Sequence, residues 1–148
     1  MAFEVETLNV DGRVTTLGTA GAHTLVIDRP VEAGGGGLGF NGGELLHLAV
    51  AGCVSNDLFR EALADGVRLR RVRVTARGEF AGTPAVSSGI EYDVEVEGDA
   101  DPARLEALVA RVDAVAEIPN SLRRGTRVRL AAVRVGRPAT LPGRPAGG

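Results

Sequence analysis

The N-terminal part of the chain alternates between apolar and polar residues, which is typical of half-buried strands. Residues 3–10 carry partial alternation and predict a strand, Asp11-Gly12 marks a turn, and residues 13–17 predict the returning strand. Residues 23–28 predict a third strand. The glycine-rich run over residues 34–39 lacks the spacing and the trailing lysine of a phosphate-binding loop, so we interpret it as a mobile connector.

A helical period follows and predicts a long central helix over residues 42–64. Asn41 is a favourable N-cap, and Glu44 three residues later can close a capping box with it. The apolar positions that share one helical face are Leu45, Leu46, Ala49, Val50, Cys53, Val54 and Leu58. Because most of the middle of this helix is small and apolar, we expect it to be buried on more than one side.

The second half of the chain returns to strict alternation. Residues 71–77 and 90–97 predict two half-buried strands, one with outward arginines and one with outward carboxylates. These two charged rows can pair across neighbouring strands. Asp101-Pro102 predicts the start of a second helix that Pro119 ends, and residues 126–135 predict a last strand.

The order of these elements favours an α+β fold with antiparallel sheets. Strands grouped by hairpins, rather than alternating strictly with helices, argue against a doubly wound sheet. We expect one domain over residues 1–135 and a disordered tail over the Pro- and Gly-rich residues 136–148. Because the first helix is too apolar for a monomer surface, we expect a homodimer with a shared core.

Composition and charge exclude several classes of function. The chain has 148 residues, a net charge of −2 and only 3% aromatic residues, which argues against a nucleic-acid partner. It contains no apolar run long enough for a membrane span and no signal-peptide pattern, so we expect a cytoplasmic protein without a membrane partner. Its single cysteine cannot form an internal disulfide or a cysteine-based zinc site, and we predict no metal and no cofactor.

Cys53 is the residue whose chemistry stands out. It lies about three turns into the predicted helix, beyond the reach of the N-terminal dipole, so its activation needs a neighbouring cation or hydrogen-bond donor. Asp57, four residues later, would oppose a thiolate. The candidate activating groups are Arg13, Arg29, Arg60 and His23. The alternative is that a lone cysteine on an apolar helical face is simply a small buried hydrophobe.

Two segments around this cysteine resemble a known family. Residues 39–46, Gly-Phe-Asn-Gly-Gly-Glu-Leu-Leu, and residues 49–53, Ala-Val-Ala-Gly-Cys, resemble the central-helix signature of the OsmC/Ohr family. These are the osmotically induced and organic-hydroperoxide-resistance proteins. The order of elements over residues 3–135 is also similar. The resemblance implies an intertwined α+β homodimer with both central helices in its middle, in which Cys53 attacks an organic hydroperoxide and becomes a sulfenic acid.

The family's second, resolving cysteine is missing from this sequence. In the family it stands in a Cys-Pro motif after the last helix, and here that position reads Ile118-Pro119. The resemblance therefore implies a divergent member in which oxidised Cys53 depends on an external thiol reductant.

The family's two activating residues are also displaced. The glutamate of its Asn-Pro-Glu motif aligns with Gly43, while Glu44 matches the next position. Its catalytic arginine falls near Asn9 or Val10 by spacing, and Arg13 lies a few residues away. Arg13 is able to substitute only if the hairpin register shifts.

These observations support three hypotheses for function. The first is a one-cysteine peroxidase that reduces organic hydroperoxides in oxidative-stress defence with an external thiol. The second is a dimer that binds a small hydrophobic ligand without turnover, and the third is a structural role in a larger assembly. For the first, the predicted catalytic residues are Cys53, Arg13 and Glu44, and the predicted substrate-binding residues are Arg29, Asn56 and Ile118.

Overall fold

The N-terminal strands form a three-stranded antiparallel sheet in a computed structural model that describes residues 2–136. The strands are β1 (Glu6–Asn9), β2 (Thr16–Ala20) and β3 (His23–Ile27), in the order β1-β2-β3. Gly12 and Gly21 form the two turns with φ of 66° and 58°, a left-handed region that glycine enters without a steric penalty. The three predicted strands are confirmed, but β1 and β3 are shorter than the pattern gave and β2 lies three residues later in the chain than predicted.

One buried carboxylate organises the glycine-rich segment after β3. Asp28 is 3% exposed, and it accepts hydrogen bonds from three backbone amides and one hydroxyl. Burial acts to raise the pKa of Asp28, but these donors outweigh it and hold the pKa below its usual value. The segment predicted as a mobile connector therefore has an anchor. The donors are the amides of Arg29, Gly36 and Leu38 and the hydroxyl of Thr15.

The central helix α1 (Gly42–Ala64) has the predicted bounds. The predicted capping box is present: the Glu44 amide donates to Asn41 Oδ1 at 3.0 Å, and the Asn41 amide donates to Glu44 Oε2 at 2.8 Å. The helix ends at Asp65, after which Gly66 turns the chain with φ of 68°.

Only one face of α1 is buried within the single chain. That face consists of Val50, Val54, Asp57, Leu58 and Ala62. It packs on the following strand and on the second helix. The opposite face is exposed, with Phe59 at 49% and Leu63 at 80%. Burial on more than one side is thus not found within one chain.

Strands β4 (Leu69–Ala81) and β5 (Val86–Gly98) form a long antiparallel hairpin. Both are longer than predicted, because the connection between them is only residues 82–85. The predicted pairing of charged rows is confirmed by the register and by ion pairs such as Arg73 with Glu95. On the other face of the hairpin, the apolar side chains Val72, Val74 and Val94 pack against the core.

The second helical region is two helices. α2 (Pro102–Val115) begins at the predicted cap, where Asp101 Oδ1 accepts from the Arg104 amide at 2.9 Å. The backbone leaves helical geometry at Ala116, and α3 (Glu117–Arg123) follows. The prediction that Pro119 ends the helix is wrong. Pro119 lies in the first turn of α3, where a missing N–H costs no helical hydrogen bond.

Residues 126–135 form no strand in the part of the chain that the structure describes, so the prediction of a last strand is wrong there. Val128 and Val135 are 94% and 92% exposed. Alternation gives this segment a strand pattern, but a strand also needs an edge with which its amides and carbonyls can pair. Within residues 2–136 this segment pairs with no strand of either sheet.

The core lies between α1, α2 and the inner face of the β4–β5 hairpin. Its buried members are Val54, Leu58, Ala62, Val67, Leu108, Val112 and Ala116. The N-terminal sheet joins this body at Phe40, whose amide donates to the Val26 carbonyl at 3.1 Å. None of the helices in residues 2–136 combines the length and the apolarity needed to cross a bilayer. The predicted tail lies outside the described residues from residue 137 onward.

Candidate functional site

Cys53 lies where α1 meets the start of α3. Its side chain is half-buried, and the Ile118 amide donates to its Sγ at 3.5 Å. This amide is free to do so because the first residues of a helix have no helical acceptor for their N–H groups. An N–H donor aimed at sulfur favours negative charge on it. The fold therefore supplies one of the two kinds of activating group that the sequence called for.

A buried carboxylate contacts the same sulfur. Asp57 is 5% exposed, and its Oδ2 lies 4.0 Å from Cys53 Sγ, within reach of the weak thiol donor. Its other oxygen, Oδ1, accepts from Arg60 Nη1 at 2.6 Å. Residues three and four apart on a helix are surface neighbours, so one face of α1 brings all three groups together.

Arg60 connects this group to further charges. Its Nε donates to Glu61 Oε1 at 3.1 Å, and Glu61 also pairs with Arg111 of α2 at 3.3 Å. The hydrogen bond to Glu61 is the main cause that raises the pKa of Arg60, with additions from the charges of Asp57 and Glu117. Arg60 therefore stays a cation, as guanidinium groups do.

An apolar cavity of about 370 Å³ lies beside α1, next to Cys53 along the helix. Val50 and Leu46, three and seven residues before Cys53, line it from the same side of α1. Pro119, the neighbour of Ile118, lines it from α3. The other apolar lining residues are Ile90 and Leu122. The volume falls within the range typical of small-molecule sites.

Tyr92 and Arg123 form a polar corner of the cavity, and both are bonded to Asp113. The Tyr92 hydroxyl donates to the Asp113 carboxylate, and Arg123 Nη1 donates to the Asp113 carbonyl at 2.9 Å. Desolvation, followed by the bond to Asp113, raises the pKa of Tyr92 to about 12, so its hydroxyl stays protonated at neutral pH. The hydrogen bonds from Tyr92 and Arg123 lower the pKa of Asp113, which stays ionised.

The structure does not bring the predicted cations from the N-terminal region to Cys53. Arg13 lies exposed in the β1–β2 turn, where its amide donates to the Val10 carbonyl at 2.8 Å. Arg29 is exposed after β3, and His23 is exposed at the start of β3. None of these three side chains is hydrogen-bonded to Cys53 in the described residues.

Glu44 is also remote from the sulfur. It is engaged in the capping box nine residues before Cys53, about 13 Å away along the axis and on the opposite side of α1. Asn56 is exposed three residues after Cys53. Of the predicted site residues, only Cys53 and Ile118 come together, and Ile118 does so through its backbone amide. The link from Asp57 to Arg60 was not predicted, although the spacing of Cys53, Asp57 and Arg60 was a readable signal.

Comparisons with known proteins cover most of the chain. A family model described as OsmC-like protein matches residues 34–131. No curated protein matches the chain. Among solved structures, an OsmC-like protein from Mycoplasma pneumoniae is 15% identical, with a TM-score of 0.71 over 85% of this chain and 89% of that one.

Two similar structures carry the name organic hydroperoxide resistance protein. The one from Legionella pneumophila is 24% identical, with a TM-score of 0.57 over 83% of this chain and 90% of that one. The one from Elizabethkingia anophelis is 15% identical, with a TM-score of 0.58 over 84% of this chain and 90% of that one. These likenesses show a shared α+β fold, and the family model covers more than half of the sequence. The chain belongs to the OsmC-like protein family.

Proposed function

We propose that this protein reduces organic hydroperoxides, with Cys53 as its single redox thiol and an external thiol as reductant. The observation that carries the proposal is the placement of the Cys53 sulfur. It is half-buried, it accepts from the Ile118 amide at 3.5 Å, and both Val50, one helical turn before it, and Pro119, next to Ile118, line an apolar cavity of about 370 Å³. The name of the Legionella pneumophila and Elizabethkingia anophelis proteins, which share the fold, points to the same substrate class.

The first half of the reaction oxidises the cysteine. The sulfur attacks the terminal oxygen of the hydroperoxide, an S–O bond forms, and the O–O bond breaks. The thiol proton passes to the departing alkoxide, which leaves as an alcohol, and Cys53 becomes a sulfenic acid. The Ile118 amide stabilises negative charge on the attacking sulfur, and the cavity holds the organic group.

The second half of the reaction needs two external thiols, because the chain has one cysteine and Ile118 stands where the family has its second one. The first external thiol attacks the sulfenic sulfur, water leaves, and a mixed disulfide forms. A second thiol then releases Cys53 as a thiol and leaves with the first as a disulfide.

A homodimer is the proposed form of the active protein. Two surfaces of the single chain support it. The exposed face of α1 carries Leu48, Phe59 and Leu63, and the strand-like residues 126–135 leave their apolar side chains in solvent. Large apolar side chains left in solvent in this number are typical of an interface. Sedimentation velocity measures the association state, and a monomer at micromolar concentration would contradict this part of the proposal.

Binding of a small hydrophobic ligand without turnover is the second candidate. The apolar lining of the cavity, with a polar corner whose charges are already balanced, favours an uncharged ligand over an anion. Affinity for such a ligand that survives Cys53→Ala, without oxidation of the thiol by hydroperoxide, is the expected signature.

The deciding experiment is intact mass spectrometry after one equivalent of cumene hydroperoxide, with and without dimedone. A rapid dimedone adduct on the wild-type protein, absent from Cys53→Ser, is the expected result. Turnover with glutathione and with dihydrolipoamide then identifies the class of reductant. An unmodified mass after many minutes would overturn the peroxidase proposal and leave ligand binding as the leading function.

A further inference from the structure

Asp57 is the one charged residue on the buried face of α1, whose other members are Val50, Val54, Leu58 and Ala62. Its side chain is 7% exposed. A carboxylate is rarely buried so far unless partners satisfy it. Arg60 satisfies Oδ1, whereas the one hydrogen-bonding partner of Oδ2 in the described residues is the Cys53 thiol. One oxygen of this buried carboxylate is thus directed to the sulfur.

The charges around Asp57 decide what this arrangement is able to do. Arg60 faces it directly, and Glu61 and Glu117 act on Arg60 from α1 and α3. Arg60 places its positive charge beside Oδ1 and leaves Oδ2 directed to the sulfur. The same carboxylate is well placed to accept the thiol proton while the sulfur attacks.

We propose that Asp57 is a catalytic base that takes the Cys53 proton during attack on the hydroperoxide, and that Arg60 is a positioning residue for its carboxylate. The inference rests on the proposed peroxidase function. The proton moves from Sγ to Oδ2 as the S–O bond forms and the O–O bond breaks. Asp57 then passes the proton to the departing alkoxide, which leaves as an alcohol, and the carboxylate is restored.

The direct test measures the second-order rate constant for sulfenic acid formation by cumene hydroperoxide, trapped with dimedone and followed by mass. Asp57→Asn keeps the shape of the side chain but removes the base, so the rate constant at pH 7 is expected to fall about 100-fold. The matched control is Asp65→Asn, a change at the end of the same helix that does not touch the sulfur; it is expected to react like the wild type.

The pH profile separates a base from a merely structural carboxylate. With Asp57 as base, a side chain inside the site takes the thiol proton, so we expect the wild-type rate to depend less steeply on pH than the rate of Asp57→Asn between about pH 5.5 and 7.5. In Asp57→Asn the proton must leave to hydroxide or buffer, so the rate of the variant rises more steeply with pH. Equal profiles, or a faster Asp57→Asn variant, would overturn the inference.

Failure of the inference and failure of the proposed function give different results. If the wild type forms no dimedone adduct, the peroxidase function fails; if it does and Asp57→Asn matches it, only the role of Asp57 fails. Should Asp57→Asn not fold by circular dichroism, the half-exposed Arg60 supplies the second test. Arg60→Gln is expected to lower the rate several-fold and to make it depend more steeply on pH, while Arg60→Lys restores both. A profile of Arg60→Gln identical to the wild type would overturn the proposal.

Discussion

Two buried carboxylates in this molecule are held in different ways. Asp28, 3% exposed, has both oxygens occupied by hydrogen bonds from backbone amides and a hydroxyl. Asp57, 5% exposed, has one oxygen paired with Arg60 and the other 4.0 Å from the Cys53 sulfur. The first carboxylate is fully satisfied by the loop it organises, while the second keeps an oxygen for a reactive group. Burial alone therefore does not mark a functional carboxylate; the partner of each oxygen does.

The regions around the two carboxylates also differ in what stabilises them. Asp28 lies between the N-terminal sheet and the glycine-rich segment, and this segment is held by hydrogen bonds to one side chain and not by apolar packing. Asp57 lies on α1 beside Val54 and Leu58, which belong to the apolar core with α2 and the β4–β5 hairpin. Changes near Asp57 should therefore affect the whole fold, and changes at Asp28 should affect one loop.

The substitution Leu58→Ala is expected to cause the largest loss of stability. Leu58 is fully buried, so truncation removes apolar contacts and leaves a cavity in the shared core. We expect the free energy of unfolding to fall by about 2–5 kcal/mol, measured by urea denaturation. The control is Glu106→Ala on the exposed side of α2, which should change it by less than about 0.5 kcal/mol. A much smaller loss of stability in Leu58→Ala would show that packing between α1, α2 and the β4–β5 hairpin does not stabilise the fold.

The substitution Asp28→Asn is expected to have a smaller and local effect, on the glycine-rich segment alone. An amide side chain keeps the shape but loses acceptor capacity, so the amides of Gly36 and Leu38 lose part of their partner. Hydrogen exchange of these two amides should accelerate roughly ten-fold, while core amides of α1 exchange at the wild-type rate. The control is Asp11→Asn in the exposed β1–β2 turn. Faster exchange throughout α1 would contradict the division into a local and a global region.

Lowering the pH tests the hydrogen bonds of Asp28 in a second way, because the direction of its pKa shift fixes the direction of the expected change in stability. The folded pKa of Asp28 lies below its usual value of 3.8 because its donors outweigh the effect of burial. Its contribution to stability is therefore present above that usual value and is lost as the pH falls through the folded pKa. Amide chemical shifts of Gly36 and Leu38 should titrate with a midpoint below 3.8 in the wild type and lose that transition in Asp28→Asn. A midpoint at or above 3.8 would contradict the anchor.

Local patterns predicted most of the fold because each element carries its own signal. The capping box of Asn41 and Glu44 and the helical period gave α1 its bounds, and alternation gave five strands. Residues 126–135 have an equally clear alternation but no strand, since alternation reports a two-faced segment and not the edge that must pair with it. The prediction that Pro119 ends the helix failed for a similar reason. The effect of a proline depends on its distance from the start of the helix, and the break at Ala116 starts a new helix just before Pro119.

The candidate site was less predictable, because it is assembled across elements. The motif gave Cys53 and the position of Ile118, which the structure joins through a backbone amide that no side-chain pattern reveals. Arg13 and Glu44 were chosen by nearness to family positions, and the fold places them in a turn and in a helix cap. Asp57 was noted only as a charge that opposes a thiolate. Its burial, which gives it a different role, depends on tertiary packing.

Exposed ion pairs are expected to contribute least to stability, in contrast to the two buried carboxylates. Arg73 and Glu95 face each other across β4 and β5 at 3.8 Å, and both side chains are more than 60% exposed. Water and salt screen such a pair, so a double-mutant cycle with Arg73→Ala and Glu95→Ala should give a coupling of at most about 1 kcal/mol. Half-molar salt should reduce that coupling further, whereas the Asp28 anchor should be insensitive to salt because its donors are neutral groups. A coupling of several kcal/mol would show that this exposed ion pair stabilises the protein as strongly as a buried one, and would contradict the contrast between exposed and buried charges.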